Sequence, residues 1–158
     1  MIVRSADKRD REWIDYALDR WWGSTRMISR GVDHDLLAQK ALIAERAEEP
    51  VGLLVYRLHL EQCEVISLNS AREDHGIGTA LLAEVERLAR DAGCARIWLV
   101  TSNDNLRAIG FYQRRGYTIA AVHRNAIAEA RRRRPSIPEI GLHNIPLRDE
   151  IEFEKTFS

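Results

Sequence analysis

The sequence predicts an α/β (α+β) protein in which a mixed sheet of about six to seven strands carries helices on both faces. Three observations predict it. An amphipathic stripe runs through residues 7–21, three strand-like runs with short links follow between 40 and 69, and residues 79–123 then alternate helical and strand-like stretches.

Trp13, Ile14, Ala17, Leu18 and Trp21 share one helical stripe, which makes residues 7–21 the first helix. Gly23 and Ser24 break it, Arg30-Gly31 gives a turn, and Asp33 or Asp35 caps a short helix through Leu36, Leu37 and Ala38; the stretch before that cap is irregular. KALIAER (40–46) and VGLLVYRLHL (51–60) read as a hairpin turned at Glu49-Pro50, and CEVISLN (63–69) adds a third strand, which implies an antiparallel meander. From Thr79 the stripe of Leu82, Val85 and Ala89 with Leu81 and Leu88 marks a helix that ends at Gly93, a suitable C′ residue. ARIWLV (95–100) is a strand whose unbroken apolar run suggests burial on both faces. Asn103 caps a further helix through Arg115, Gly116 ends it, and YTIAAVH (117–123) returns to strand. Residues 124–148, with Arg131 to Arg134, Pro135, Pro138 and Pro146, form an excursion of a short helix and a long loop. IEFEKTF (151–157) alternates cleanly and is equally compatible with pairing inside the sheet and across a homodimer.

The chain has 158 residues, which matches one domain (1–158) able to bury a real core. Lysine plus arginine balances aspartate plus glutamate at 24 each, so no net field draws in nucleic acid or anionic lipid, and neither partner is expected. No apolar run spans a bilayer and the charged start MIVRSADKRDREW lacks a signal-like core, so a cytoplasmic location is the expectation. Cys63 and Cys94 sit in apolar segments as small hydrophobes. His59 and Cys63 alone have metal-like spacing, and two ligands do not make a zinc site, so no metal is assigned.

The chemistry concentrates in two segments. In VISLNSAREDHGIGTALL (65–82) a strand runs into a glycine turn that opens directly into an amphipathic helix. The first amides of a helix lack internal partners and the dipole adds positive charge, so the turn at Gly76, Ile77 and Gly78 suits a pyrophosphate, with Thr79 as an added donor. In NDNLRAIGFYQRRGY (103–117), Asn105, Ala108, Ile109 and Tyr112 share one helical face, while Arg107, Gln113, Arg114 and Arg115 face mainly elsewhere. Phe111 and Tyr112 also fit a purely structural aromatic core.

Together these segments resemble the GNAT superfamily of N-acetyltransferases, whose motif N-x-x-A-x-x-F-Y-x-x-x-G-F/Y stands complete as Asn105, Ala108, Phe111, Tyr112, Gly116 and Tyr117. The resemblance runs from about Ile43 to His123. It implies a mostly antiparallel sheet whose two central parallel strands splay apart to admit acetyl-CoA. It further implies that backbone atoms of Leu68 and Asn69 pair with the pantetheine arm, that Glu73, Asp74, His75, Gly76, Ile77, Gly78 and Thr79 hold the pyrophosphate, and that Asn105 contacts the pantetheine side. The family's first motif is usually Q/R-x-x-G-x-G/A; here Glu73 replaces the first residue and Asp74 the frequent second glycine. Such a site holds pyrophosphate by backbone amides and dipole rather than by side-chain charge.

The implied reaction moves an acetyl group from acetyl-CoA to a primary amine of a small molecule or peptide by direct attack on the thioester. An ordinary amine of pKa ~10.4 is neutral in roughly one molecule per thousand near neutral pH, so a base or water chain must take its proton. Glu64 is the candidate base, ahead of His123 and His34. The Leu68 or Asn69 amide serves as oxyanion donor. Tyr112 is the candidate general acid for the leaving thiolate, a role the family gives a tyrosine at this position. The acceptor pocket draws on the variable parts: Trp22 and Arg26 as substrate-binding residues, with Tyr56 and the 123–148 excursion. Two other classes compete, namely a tRNA- or nucleic-acid-directed acetyltransferase using Arg131 to Arg134, read first as a solvated helix face, and a non-catalytic module that senses acyl-CoA.

Overall fold

The computed structural model describes residues 1–73 and 75–157. Strand β1 (Ile2–Ser5) precedes α1 (Arg11–Trp22), and the hairpin β2 (Arg26–Ser29) and β3 (Val32–Asp35) precedes β4 (Lys40–Arg46), β5 (Glu49–His59) and β6 (Gln62–Ser70). The second part runs α2 (Ile77–Asp91), β7 (Arg96–Ser102), α3 (Leu106–Arg114), β8 (Thr118–His123), α4 (Ala126–Arg133) and β9 (Glu150–Thr156). Seven strands form one sheet in the order β1-β4-β5-β6-β7-β9-β8, antiparallel everywhere except between β6 and β7.

Alternation along the strands sends apolar side chains to both faces. Leu42, Leu54, Cys63, Val65, Ile97, Leu99 and Phe153 pack under α2 and α3 with Leu81, Val85, Tyr112 and Tyr117. Ile43, Leu53, Val55 and Ile66 meet Ile14 and Leu18 of α1 on the opposite face. Each of the larger side chains removes enough apolar surface from water to contribute about 1.5–3 kcal/mol.

One local irregularity positions the site. In the β5–β6 ladder Val55 pairs with Ser67 but Tyr56 pairs with Val65, which leaves Ile66 as the extra residue of a bulge. A bulge bends and twists its strand. Strand β6 accordingly pairs with β7 only at Gln62–Glu64 against Arg96–Trp98. Beyond Glu64 the two strands part, and the ladder groups of β6 that face β7 are left open.

Several details depart from the sequence reading. Strand β1 lacks any periodic signal and is held by its ladder to β4 and by Arg4, which donates to Asp10 and Glu45. The β4–β5 turn falls at Ala47-Glu48, both at positive φ, so Glu49 and Pro50 already belong to β5. The irregular stretch before residue 36 is a hairpin turned at Arg30-Gly31, and Asp35 then caps a 3₁₀ turn at 36–38. Strand β7 is buried on one face only: Ile97 and Leu99 enter the core, whereas Trp98 and Val100 lie on a half-covered polar face, with Arg96 over the Trp98 ring. Strand β9 pairs inside the sheet, between β7 and β8.

The arginine run is exposed at Arg132 and Arg133, as a solvated face would be, but most of it is also bonded back to the chain. Arg131 donates to the carbonyls of Ile137, Pro138 and Leu147, Arg133 to that of Gly31, and Arg134 to that of Arg26, while Arg132 pairs with Glu129. Among the described residues no helix is long and apolar enough to cross a membrane.

Candidate active site

The open end of the split is closed by two helix starts. Gly76 stands at φ 74°, a left-handed conformation that glycine adopts without strain, and it turns the chain from the β6 loop into α2. No side chain caps α2, and Ala80 is the first amide bonded back, to the Gly76 carbonyl at 3.0 Å. The amides of Ile77, Gly78 and Thr79 therefore lack helical partners at the positive end of a four-turn dipole. Gly78 is small for a different reason: a Cβ there would lie 3.1 Å from the Phe111 ring, so its absence lets α3 pack close to this turn.

Helix α3 supplies the second wall. Asn105 caps it, with Oδ1 accepting from the Ala108 amide at 3.2 Å. Asn103, expected as the cap, instead ties down the excursion: its side chain bonds the Arg148 and Asp149 amides and the Pro146 carbonyl, because the chain does not turn helical until Leu106. Tyr112 packs edge-on against Phe111 and Tyr117, and burial raises its pKa, so the hydroxyl keeps its proton well above neutrality. Tyr112 belongs to the core and also lines the cleft.

Between these walls lies a cleft of ≈ 300 Å³. Leu68, Asn69, Glu73, Gly76, Ile77, Gly78, Thr79, Asn105 and Tyr112 all line it, and so does Trp22, whose indole N–H donates to Asn69 Oδ1 at 2.7 Å. His75 stays exposed beside it, its carbonyl accepting from Arg46. Asp74 lies outside the described residues. Arg26 is absent from the lining because its guanidinium pairs with Asp33 in the hairpin.

Four arginines also line the cleft: Arg72, Arg107, Arg114 and Arg115. This corrects the expectation that those on α3 face elsewhere and that side-chain charge plays no part. The stripe 105, 108, 112 continues to 115 at the same three-and-four spacing, and Arg115 is held there by a bond to Thr79 Oγ1 at 2.8 Å and by stacking over Phe111. Arg107 pairs with Glu73 at 3.3 Å, which offsets that carboxylate beside the cleft.

On the far face of the sheet, Glu64 is 6% exposed and sits on β6 where the strands begin to part. It borders a small pocket with Arg57, His59, Gln62 and Trp98. Burial pushes its carboxyl up to about 7; Arg57 opposes the shift, while Glu150 and Glu152 add to it. His34, carried on β3, is 3% exposed and brings Nε2 to 3.7 Å from Glu64 Oε2; burial lowers its pKa, with Arg57 adding to the shift and Asp33 opposing it. Glu150 is held by the amide and guanidinium of Arg30, and Glu152 by His123 and Arg96.

The Acetyltransferase (GNAT) family model matches residues 5–117, which span β1 through the end of the α3 wall. The chain belongs to this family. Among similar proteins, the uncharacterized protein YdhI of Bacillus subtilis (strain 168) is 48% identical over 157 residues, covering 98% of each chain. The uncharacterized protein YxbD of the same organism is 38% identical over 143 residues, covering 89% of each. Of solved structures, an IAA acetyltransferase from Bacillus cereus superposes with a TM-score of 0.78 at 18% identity, over 99% of both chains. A Bacillus subtilis acetyltransferase in complex with CoA gives 0.75 at 15% identity, over 99% of this chain and 98% of that one.

In this GNAT chain the residues that sequence reasoning missed are of two kinds. Arg72 comes from a loop that no local period orients, and Arg114 from the exposed flank of α3, two turns after Arg107. Glu150, Ser67 and Ser29, all buried and polar, owe their places to tertiary pairing; only the alternation of IEFEKTF hinted that β9 has a polar face.

Proposed function

We propose that the chain transfers an acetyl group from acetyl-CoA to a primary amine of a small molecule or peptide. The observation that carries this reading is the meeting, in one cleft, of an uncapped helix start and an open strand edge, with a buried carboxylate of near-neutral pKa on the sheet face behind it. The residues fit the donor: the amides of Ile77, Gly78 and Thr79 with Arg72, Arg107 and Arg114 receive its phosphates, and the open edge of Leu68 and Asn69 receives its amide-bearing arm. When bound, the donor supplies the acetyl thioester.

Glu64 takes the proton that the acceptor nitrogen must lose; a carboxylate poised near 7 is matched to that task at neutral pH. The Leu68 or Asn69 amide, fixed by the β5 ladder, polarises the acetyl oxygen, a contact that contributes roughly 3 kcal/mol. Tyr112 holds a proton at Oη through the neutral range for the departing thiolate. Trp22 closes the acceptor side of the cleft through its bond to Asn69. The nucleic-acid-directed alternative loses support because Arg131, Arg133 and Arg134 are bonded to carbonyls within the chain.

Calorimetry with CoA, followed by thiol release from acetyl-CoA with propylamine, lysine and an alanyl tripeptide, tests the reading. Binding with amine-dependent release is expected. A protein that binds neither CoA nor acetyl-CoA overturns it.

A further inference from the structure

The hairpin β2–β3 has two strands of four residues and forms its own small sheet, a unit that is marginal alone in water. It is tethered at several points. Arg133 donates to the Gly31 carbonyl at 2.7 Å, Arg134 to the Arg26 carbonyl at 2.8 Å, Arg134 pairs with Asp33 at 3.6 Å, and Arg30 bonds Glu150 on β9. The residue so fixed over the parting strands is His34. Its Nε2 is buried with no hydrogen-bond partner, an arrangement that costs stability unless something uses it. The nearest acidic oxygen, Glu64 Oε2, is 3.7 Å away, so closing by less than about 1 Å makes a hydrogen bond.

We propose that His34 forms a buried proton relay with Glu64, held in place by the Arg133–Arg134 tethers, and passes on the proton that Glu64 removes from the acceptor amine. This rests on Glu64 acting as the base. The nitrogen's proton goes to the Glu64 carboxylate, then from Oε2 to Nε2, which restores the carboxylate and leaves imidazolium. The imidazolium releases the proton to water and returns to neutral, with no change in oxidation state. Burial opposes charge on either partner, raising the carboxyl to about 7 and lowering the imidazole, so the imidazolium is a transient that lasts only until water takes its proton. The other charged groups facing the pair are Asp33 on the hairpin, Arg57 on β5, and Glu150 and Glu152 on β9, the last two engaged by Arg30, His123 and Arg96.

The relay is tested by ¹⁵N imidazole NMR titration of the ligand-free protein, with the His34 signal assigned by its loss in His34→Gln. In Glu64→Gln the His34 titration moves down by about one unit, because its imidazolium loses the adjacent carboxylate; no movement overturns the relay. In Arg134→Ala the difference made by Glu64→Gln shrinks, and an unchanged difference overturns the tethering. His34→Gln keeps the volume and hydrogen-bonding capacity but cannot titrate. With propylamine as acceptor it lowers kcat about tenfold, alters the acid limb of the pH profile, and leaves KM and CoA binding within about twofold. Full activity at every pH in His34→Gln overturns the proposal. Activity unaffected by Glu64→Gln instead overturns the reading of Glu64 as base, a failure visible apart from the NMR result.

Discussion

The two faces of the split sheet are built by opposite means. Toward α2 and α3 the strands meet a continuous apolar core, and the cleft above it is lined by backbone amides and arginines that lie near its surface. Toward the hairpin, past the α1 contacts, the sheet presents buried Glu64 and Glu150 and half-buried Glu152, faced by buried His34 and by the more exposed Arg30 and Arg96. The first face is stable packing that leaves donors free for a ligand. The second takes ionisable groups out of water, which costs stability and lifts the Glu64 carboxyl to about 7. The amide- and arginine-lined cleft and the buried carboxylates are thus separated by the thickness of one sheet.

The largest expected effect breaks the packed face. Phe153→Ala, at a fully buried site beside Tyr112, should destabilise the protein by about 3–5 kcal/mol in urea unfolding. Next comes Glu64→Gln, which should lower kcat about 100-fold in the thiol-release assay. It should also raise the melting temperature at pH 8 but not at pH 4. The sign follows from linkage: the folded carboxyl titrates near 7 and the unfolded one near 4.5, so the wild type loses stability as pH rises between those values, and glutamine does not. A melting temperature unchanged at pH 8 would remove the distinction between the faces.

Legibility followed the same division. The helix stripes, the glycine turn and the Asn105–Tyr117 motif are local patterns, so α2, α3 and most of the cleft were readable from residues a few positions apart. Strand β1, the β2–β3 hairpin and the partners of Glu64 were not. Ile2–Ser5 has no alternation to signal burial, VDHD is too polar for a strand by composition, and His34 reaches Glu64 only because arginines a hundred residues later hold its hairpin. Arg115 was the one avoidable miss, since the helical period places it beside Tyr112.

Smaller effects sharpen the donor side. Gly76→Ala forces a left-handed residue at a cost of about 1–2 kcal/mol, and CoA affinity measured by calorimetry should fall by about tenfold as the turn relaxes. Arg72→Ala with Arg114→Ala should weaken CoA binding severalfold at low salt, with a smaller loss near 0.5 M salt, where exposed charges are screened to roughly 4–5 Å. Thr79→Val removes the acceptor of Arg115 and should cost no more than about 1 kcal/mol of stability or binding.

Strand β9 lies between β7 and β8, although both precede it in the chain. On the ribosome, β7 therefore emerges with one long edge bare and stays so until residues 150–156 arrive, after the whole excursion has been made. Unpaired strand edges invite intermolecular pairing. A nascent chain stalled before Glu150 already contains the glycine turn and both helices of the donor cleft, but it lacks two of the three glutamates of the opposite face. The opposite face therefore completes its charge pairing last, when β9 brings Glu150 to Arg30 and Glu152 to Arg96 and His123.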